Sequence, residues 1–162
     1  MQKKILVAVD ESAASVEAAH FIEKFFAGMP VEILAVNVAP GAVQWLTPVT
    51  GFGGVTPWAY PASLSPEDLT RIRDDERAVA AETLTEVAPA NADTLVQFGD
   101  PVLAILDAAR EHHADLIAVG THHKNMFARL IQGSVSEDLV RRSPVPVLVV
   151  PAPDGHPASV EA

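Results

Sequence analysis

Gly120, Gly133 and Ser134 bracket the stretch GTHHKNMFARLIQGS, whose ends have the chemistry of an anion site. Glycine lets a ligand approach the backbone closely. A serine opening a helix stands where free N–H groups and the helix dipole favour negative charge. The same residues have a plainer use. Ser134-Val135-Ser136-Glu137 fits a capping box, in which serine and glutamate satisfy the helix end between themselves. Glu137 and Asp138 would also repel a phosphate laid on the first turn. On residue chemistry alone, binding and capping stand level.

Four histidines, His112, His113, His122 and His123, invite a metal reading. The first pair precedes the run LIAVGT and the second follows it. As a strand, that run separates the pairs by about 20 Å at roughly 3.3 Å per residue, too far for one ion. His112 and His113 suit a helix C-terminus instead, where the dipole favours positive charge. The chain has no cysteine, which removes thiolate ligands, thiol nucleophiles and disulfides. No metal site is expected. No serine is placed beside a positioned base and no G-x-S-x-G elbow is present, so no catalytic residue is assigned.

These residues need elements to position them. KKILVAVD (Lys3–Asp10) reads as a buried strand ending at a carboxylate. Ser12 can cap a helix carrying Ala14, Ala18, Phe21, Ile22 and Phe25 at helical spacing, stopped by Gly28 to Pro30. Val31–Val38 is a second strand. Ser65-Pro66-Glu67-Asp68 starts a helix running to about Val87, with Leu69, Ile72, Val79 and Leu84 on one side. Thr94–Phe98 is a third strand, and Asp100-Pro101 caps a helix to about His112. Leu116–Thr121 is the fourth strand, Ser134 to about Arg142 a helix, and Val145–Val150 the fifth strand. Near-continuous apolar strands alternating with helices predict an α/β fold: an open five-stranded parallel sheet with helices on both faces, Rossmann-like. In such sheets ligands sit beyond the carboxyl ends of the strands. The groups to watch are therefore Asp10 to Ser12, Val38 onward, Gly99-Asp100, and Gly120 onward.

A length of 162 residues fits one domain, spanning 1–152, with a flexible tail at 153–162. Residues 39–65 interrupt it with a Pro- and Gly-rich insertion that holds Trp45, Phe52, Trp58 and Tyr60. Such an insertion could be a lid, a surface for a partner chain, or a disordered loop; lid and interface are favoured. The net charge of −10 opposes nucleic-acid binding and docking on anionic membranes. No apolar run is long enough to cross a bilayer and none reads as a signal peptide, so a cytoplasmic location is expected.

Two phosphate loops are missing: there is no GxxxxGK[ST], and DES follows the first strand instead of a glycine-rich turn. A phosphorylated receiver would find acids at Asp10-Glu11 and Asp100 and a hydroxyl at Thr121, but the last strand ends in Val-Val-Pro and delivers no lysine.

VAVDES, GDPVLAIL, ADLIAVGTHHKNMFARLIQGSVSEDLV and SPVPVLVVP together resemble the universal stress protein family. The likeness covers nearly the whole chain apart from the insertion and tail. It implies a five-stranded parallel α/β fold, one branch of which binds ATP through Gly-x2-Gly-x9-Gly-Ser/Thr. Gly120, Gly133 and Ser134 match at the right spacing, whereas His123 stands at the second glycine. By this resemblance Asp10 (with Ser12 in the same turn) and the Val38 backbone would meet adenine and ribose. Gly120, Thr121 and His123 would line ribose and phosphates, and Lys124 would be a nearby cation. Gly133, Ser134, Val135 and Ser136 would hold phosphates, with any Mg2+ held through them. At position 123 the imidazole would either replace a contact or close the site. The last strand, Val145–Val150, commonly mediates dimerisation in this family, which implies a homodimer. The implied role is an ATP-binding stress sensor or regulator. A nucleotide-free dimeric interaction module is the alternative, and a slow ATPase a third.

Overall fold

The structure is a computed structural model and describes residues 2–41, 65–121 and 135–152. The elements follow one another as β1 (Lys3–Ala8), α1 (Ala13–Phe25), β2 (Val31–Ala39), α2 (Pro66–Val87), β3 (Asp93–Phe98), α3 (Pro101–Glu111), β4 (Leu116–Thr121), α4 (Val135–Arg142) and β5 (Val147–Pro151). The five strands form one sheet in the order β3-β2-β1-β4-β5. Every pairing is parallel. The expected α/β sheet is therefore the observed one.

The apolar runs bury both faces because alternate residues feed different layers. Leu6, Ala8, Leu34, Val36, Ile117 and Val119 pack with Val102, Ile105, Leu106 and Leu139, which places α3 and α4 on one face. Ile5, Val7, Val9, Ile33, Ala35 and Ala118 pack with Ala19, Ile22 and Leu84, which places α1 and α2 on the other. The outer strands are less covered. β3 has no fully buried residue, as befits an edge.

Capping sets where the helices begin. The Ser12 hydroxyl accepts from the Ser15 N–H at 3.2 Å at the start of α1. Ser65 and Asp68 form a complete capping box on α2, with Pro66 following. The Asp100 carboxylate accepts from the Leu103 N–H at 2.9 Å and caps α3 ahead of Pro101. Asp100 thus has the capping role its neighbours suggest. At the far end of α3, His112 is the C-cap and His113 takes φ 54, a left-handed terminus.

Three sequence expectations are adjusted. Val79 is 64% exposed, while Ala80 and Leu84 carry the buried stripe of α2. At about 100° per residue, Val79 lies some 140° around the helix from Leu84. Phe25 is 58% exposed and is the last residue of α1; it stacks on Phe21 at 5.2 Å and meets Phe26 at 5.1 Å. The last strand begins at Val147 instead of Val145, because Val145 is held in a turn by two bonds with the Ser143 hydroxyl and Pro146 has no N–H to give a ladder. The insertion and tail expectations (residues 42–64 and 153–162) lie outside the described residues.

Asp115 ties the start of β4 to β1. Its carboxylate accepts from the Lys3 ammonium at 2.7 Å and from the Lys4 N–H at 2.9 Å. The Lys3 ammonium first, and the Lys4 backbone N–H second, hold its pKa below the ordinary aspartate range.

Candidate functional site

The connections leave β1 in two directions: β1 to β2 to β3 runs to one edge of the sheet, and β4 to β5 runs to the other. The switch point lies between β1 and β4, where a crevice must open beyond the strand ends. A cleft of about 310 Å³ occupies it. Its apolar floor is Ala8, Val36, Ile105 and Val119, and its polar rim includes Asp10, Ser12, Ser15, Asn37, Thr121 and Ser136. Three helices begin at it: α1 through Ala14 and Ser15, α3 through Pro101, and α4 through Val135 and Ser136. Their positive ends converge on one space.

The β1–α1 turn is held from several sides. The Val9 N–H donates to the Val36 carbonyl at 2.9 Å, and the Asn37 amide donates to the Val9 carbonyl at 2.9 Å. The Asp10 N–H donates to the Ser15 hydroxyl at 3.0 Å, and Asp10 Oδ1 accepts from the Ser12 N–H at 2.8 Å. These bonds point Asp10 at the cleft while Ser12 is occupied with capping.

Gly120 lines the cleft, and its lack of a side chain has a structural cause besides any ligand. A Cβ there would run into the Ala14 carbonyl and lie 2.8 Å from the Ser15 nitrogen. The glycine lets β4 and the first turn of α1 close on each other. Thr121 and Ser136 are both buried polar residues at the cleft.

The acids of α4, Glu137 and Asp138, both stand in its first turn. Neither Glu137 nor Asp138 lines the cleft, and Glu137 is paired with Arg141 at 2.7 Å. The serine of the expected capping box, Ser134, lies outside the described residues.

Of the residues singled out from sequence, Asp10, Ser12, Val38, Gly120, Thr121, Val135 and Ser136 come together in this cleft. His123, Lys124, Gly133 and Ser134 lie outside the described residues. Sequence reading passed over Asn37, Ser15 and Pro101, which also line it. Asn37 had left a visible signal as the one uncharged polar residue in the strand VEILAVNV. Among the described residues no group of histidines and carboxylates is arranged to hold a metal.

The model of the universal stress protein family matches residues 1–151. The chain belongs to the universal stress protein family. A universal stress protein of Methanocaldococcus jannaschii is 28% identical over 153 residues, covering 94% of this chain and 84% of the relative. Among solved structures, a universal stress protein in complex with cAMP superposes with TM-score 0.56 at 22% identity, covering 91% of this chain and 95% of that one. A universal stress protein of Arabidopsis thaliana with AMP bound superposes with TM-score 0.55 at 18% identity, covering 97% of each. At these identities the structural likeness shows the shared fold. This universal stress protein therefore shares its α/β fold with those structures.

Proposed function

We propose that this universal stress protein binds ATP or a related adenine nucleotide in the switch-point cleft and acts as a sensor or regulator in stress response. The observation that carries the reading is the convergence of three helix N-termini on a cleft rimmed by Asp10, Thr121 and Ser136. That arrangement accepts an anion without basic side chains, as a chain of net charge −10 requires. The AMP and cAMP held by two fold relatives support the choice of an adenine nucleotide.

In this reading Asp10 and the Val38 backbone take the base and ribose end. Gly120 and Thr121 border the ribose, and the N–H groups and hydroxyl at Val135 and Ser136 receive phosphate. The family motif extends the phosphate end through Gly133 and Ser134, with His123 in place of its second glycine and Lys124 a nearby cation. A magnesium ion would bind to the nucleotide's phosphates, neutralising charge that the chain's few cations do not. Val147–Pro151 is the strand through which two copies would pair, because β5 has β4 on one side only in the described chain.

Titrating ATP into nucleotide-free wild type and Asp10→Ala tests the assignment. Saturable wild-type binding, weakened about tenfold or more in the variant, is the expected outcome. Equal affinities would remove Asp10 from the site.

A further inference from the structure

One side of the β3 backbone is left without a partner. The strand follows β2 in unbroken register from Asp93 to Phe98, and no strand lies on its other side among the described residues. The Gly99 N–H donates inward to the Ala39 carbonyl at 2.9 Å. Backbone groups of a parallel strand turn alternately to its two sides, so Thr94, Val96 and Phe98 direct their N–H and C=O groups outward. The stretch DTLVQF has no proline, lysine or bulge to discourage a further strand.

The side chains alternate as well. Val96 packs with the α2 layer and Leu95 with the opposite one, which puts Phe98 on the α2 side. There the guanidiniums of Arg73 and Arg77 stand 5.0 Å and 5.4 Å from the centre of its ring. Both arginines are exposed. Neither forms an ion pair among the described residues, although Asp74, Asp75 and Glu76 lie between them in sequence. Like charges four residues apart disfavour a helix, and these two persist together in a chain of net charge −10. A strand added to the sheet would run about 4.8 Å outside β3, so its side chain next to Phe98 would meet both guanidiniums. A carboxylate there forms the charge-assisted pairs that the arginines lack.

Charge also separates the candidate occupants. Residues 42–64 contain no aspartate or glutamate. A second copy, paired antiparallel through its own β3 in one continuous sheet, brings Thr94, Val96 or Phe98 to this face, and none is acidic. We infer that the β3 edge is a docking site for an extended acidic segment of another protein. The segment adds as a sixth strand and sets an aspartate or glutamate beside Phe98, against Arg73 and Arg77. None of these three residues lines the switch-point cleft, so the inference stands whether or not that cleft binds nucleotide.

A fluorescein-labelled, end-blocked peptide of sequence Thr-Val-Glu-Val-Glu-Val-Thr, titrated by fluorescence anisotropy at low salt, tests the site. Saturable binding of one peptide per chain is expected, with new protection of the Thr94, Val96 and Phe98 amides against hydrogen exchange. The double variant Arg73→Gln, Arg77→Gln weakens binding about tenfold or more, and so does glutamine in place of both peptide glutamates. Thr94→Pro removes an outward N–H that the sheet itself does not use, so peptide binding is lost while the melting temperature holds. The arginine variant alters only exposed side chains and decides the question even where the proline variant fails to fold. The inference is overturned by no saturable binding at millimolar peptide, by wild-type affinity in the arginine variant, or by binding without amide protection. Tighter binding of a single-stranded oligonucleotide than of the peptide overturns it equally.

Discussion

Gly120 shows how a residue can serve a site through packing alone. The Ala14 carbonyl occupies the space its side chain would need, so Gly120→Ala forces β4 and α1 apart whatever the ligand state. We expect a loss of about 1–3 kcal/mol in urea unfolding without nucleotide. Stability unchanged in the apo protein would mean that the position answers to a ligand instead. Ser12 behaves differently. Its hydroxyl caps α1, and Ser12→Ala should cost about 1 kcal/mol in the same assay. Nucleotide affinity should then change far less than in Asp10→Ala, because the ligand-facing carboxylate remains.

At the scale of elements, two exposed aspartates couple structure to pH. Asp68 is held below the usual carboxylate range by the Ser65 hydroxyl and then the Ser65 N–H, at the start of α2. Asp115 is held down by Lys3 and then by the Lys4 N–H, at the start of β4. A carboxylate more acidic when folded than when unfolded adds stability above the unfolded value, near 3.8. That contribution is lost as pH falls through the folded value. Unfolding midpoints measured from pH 5 downward should therefore fall less in an Asp68→Asn, Asp115→Asn double variant than in wild type. Parallel curves would contradict the coupling.

The elements were also the most legible part of the sequence. Apolar runs such as KKILVA and LIAVGT can only be buried strands between two helical layers, and Ser12, Ser65 and Asp100 mark helix starts by chemistry that acts locally. Strand-end logic then pointed to Asp10, Val38 and Gly120, and the family resemblance to Ser136. What stayed hidden depends on contacts between distant residues. Gly120 read as room for a ligand, whereas the nearest neighbour is the Ala14 backbone. Asn37 was passed over because its partner, the Val9 carbonyl, is 28 positions away in the chain. Val79 was misassigned because the stripe of α2 is narrow and is centred on Ala80 and Leu84.

For the whole molecule, the sheet order leaves both β3 and β5 as edges, and β5 carries Val147, Leu148 and Val149. An apolar edge of this kind favours pairing with a second copy. Sedimentation should find a dimer in wild type and a folded monomer in Val147→Lys, Val149→Lys. A wild-type monomer at micromolar concentration would contradict pairing through this strand. The central claim concerns the cleft at the switch point, and calorimetric titration of nucleotide-free protein with ATP tests it most directly. Saturable binding at one site per chain is predicted; the absence of any binding heat at millimolar ATP would contradict it.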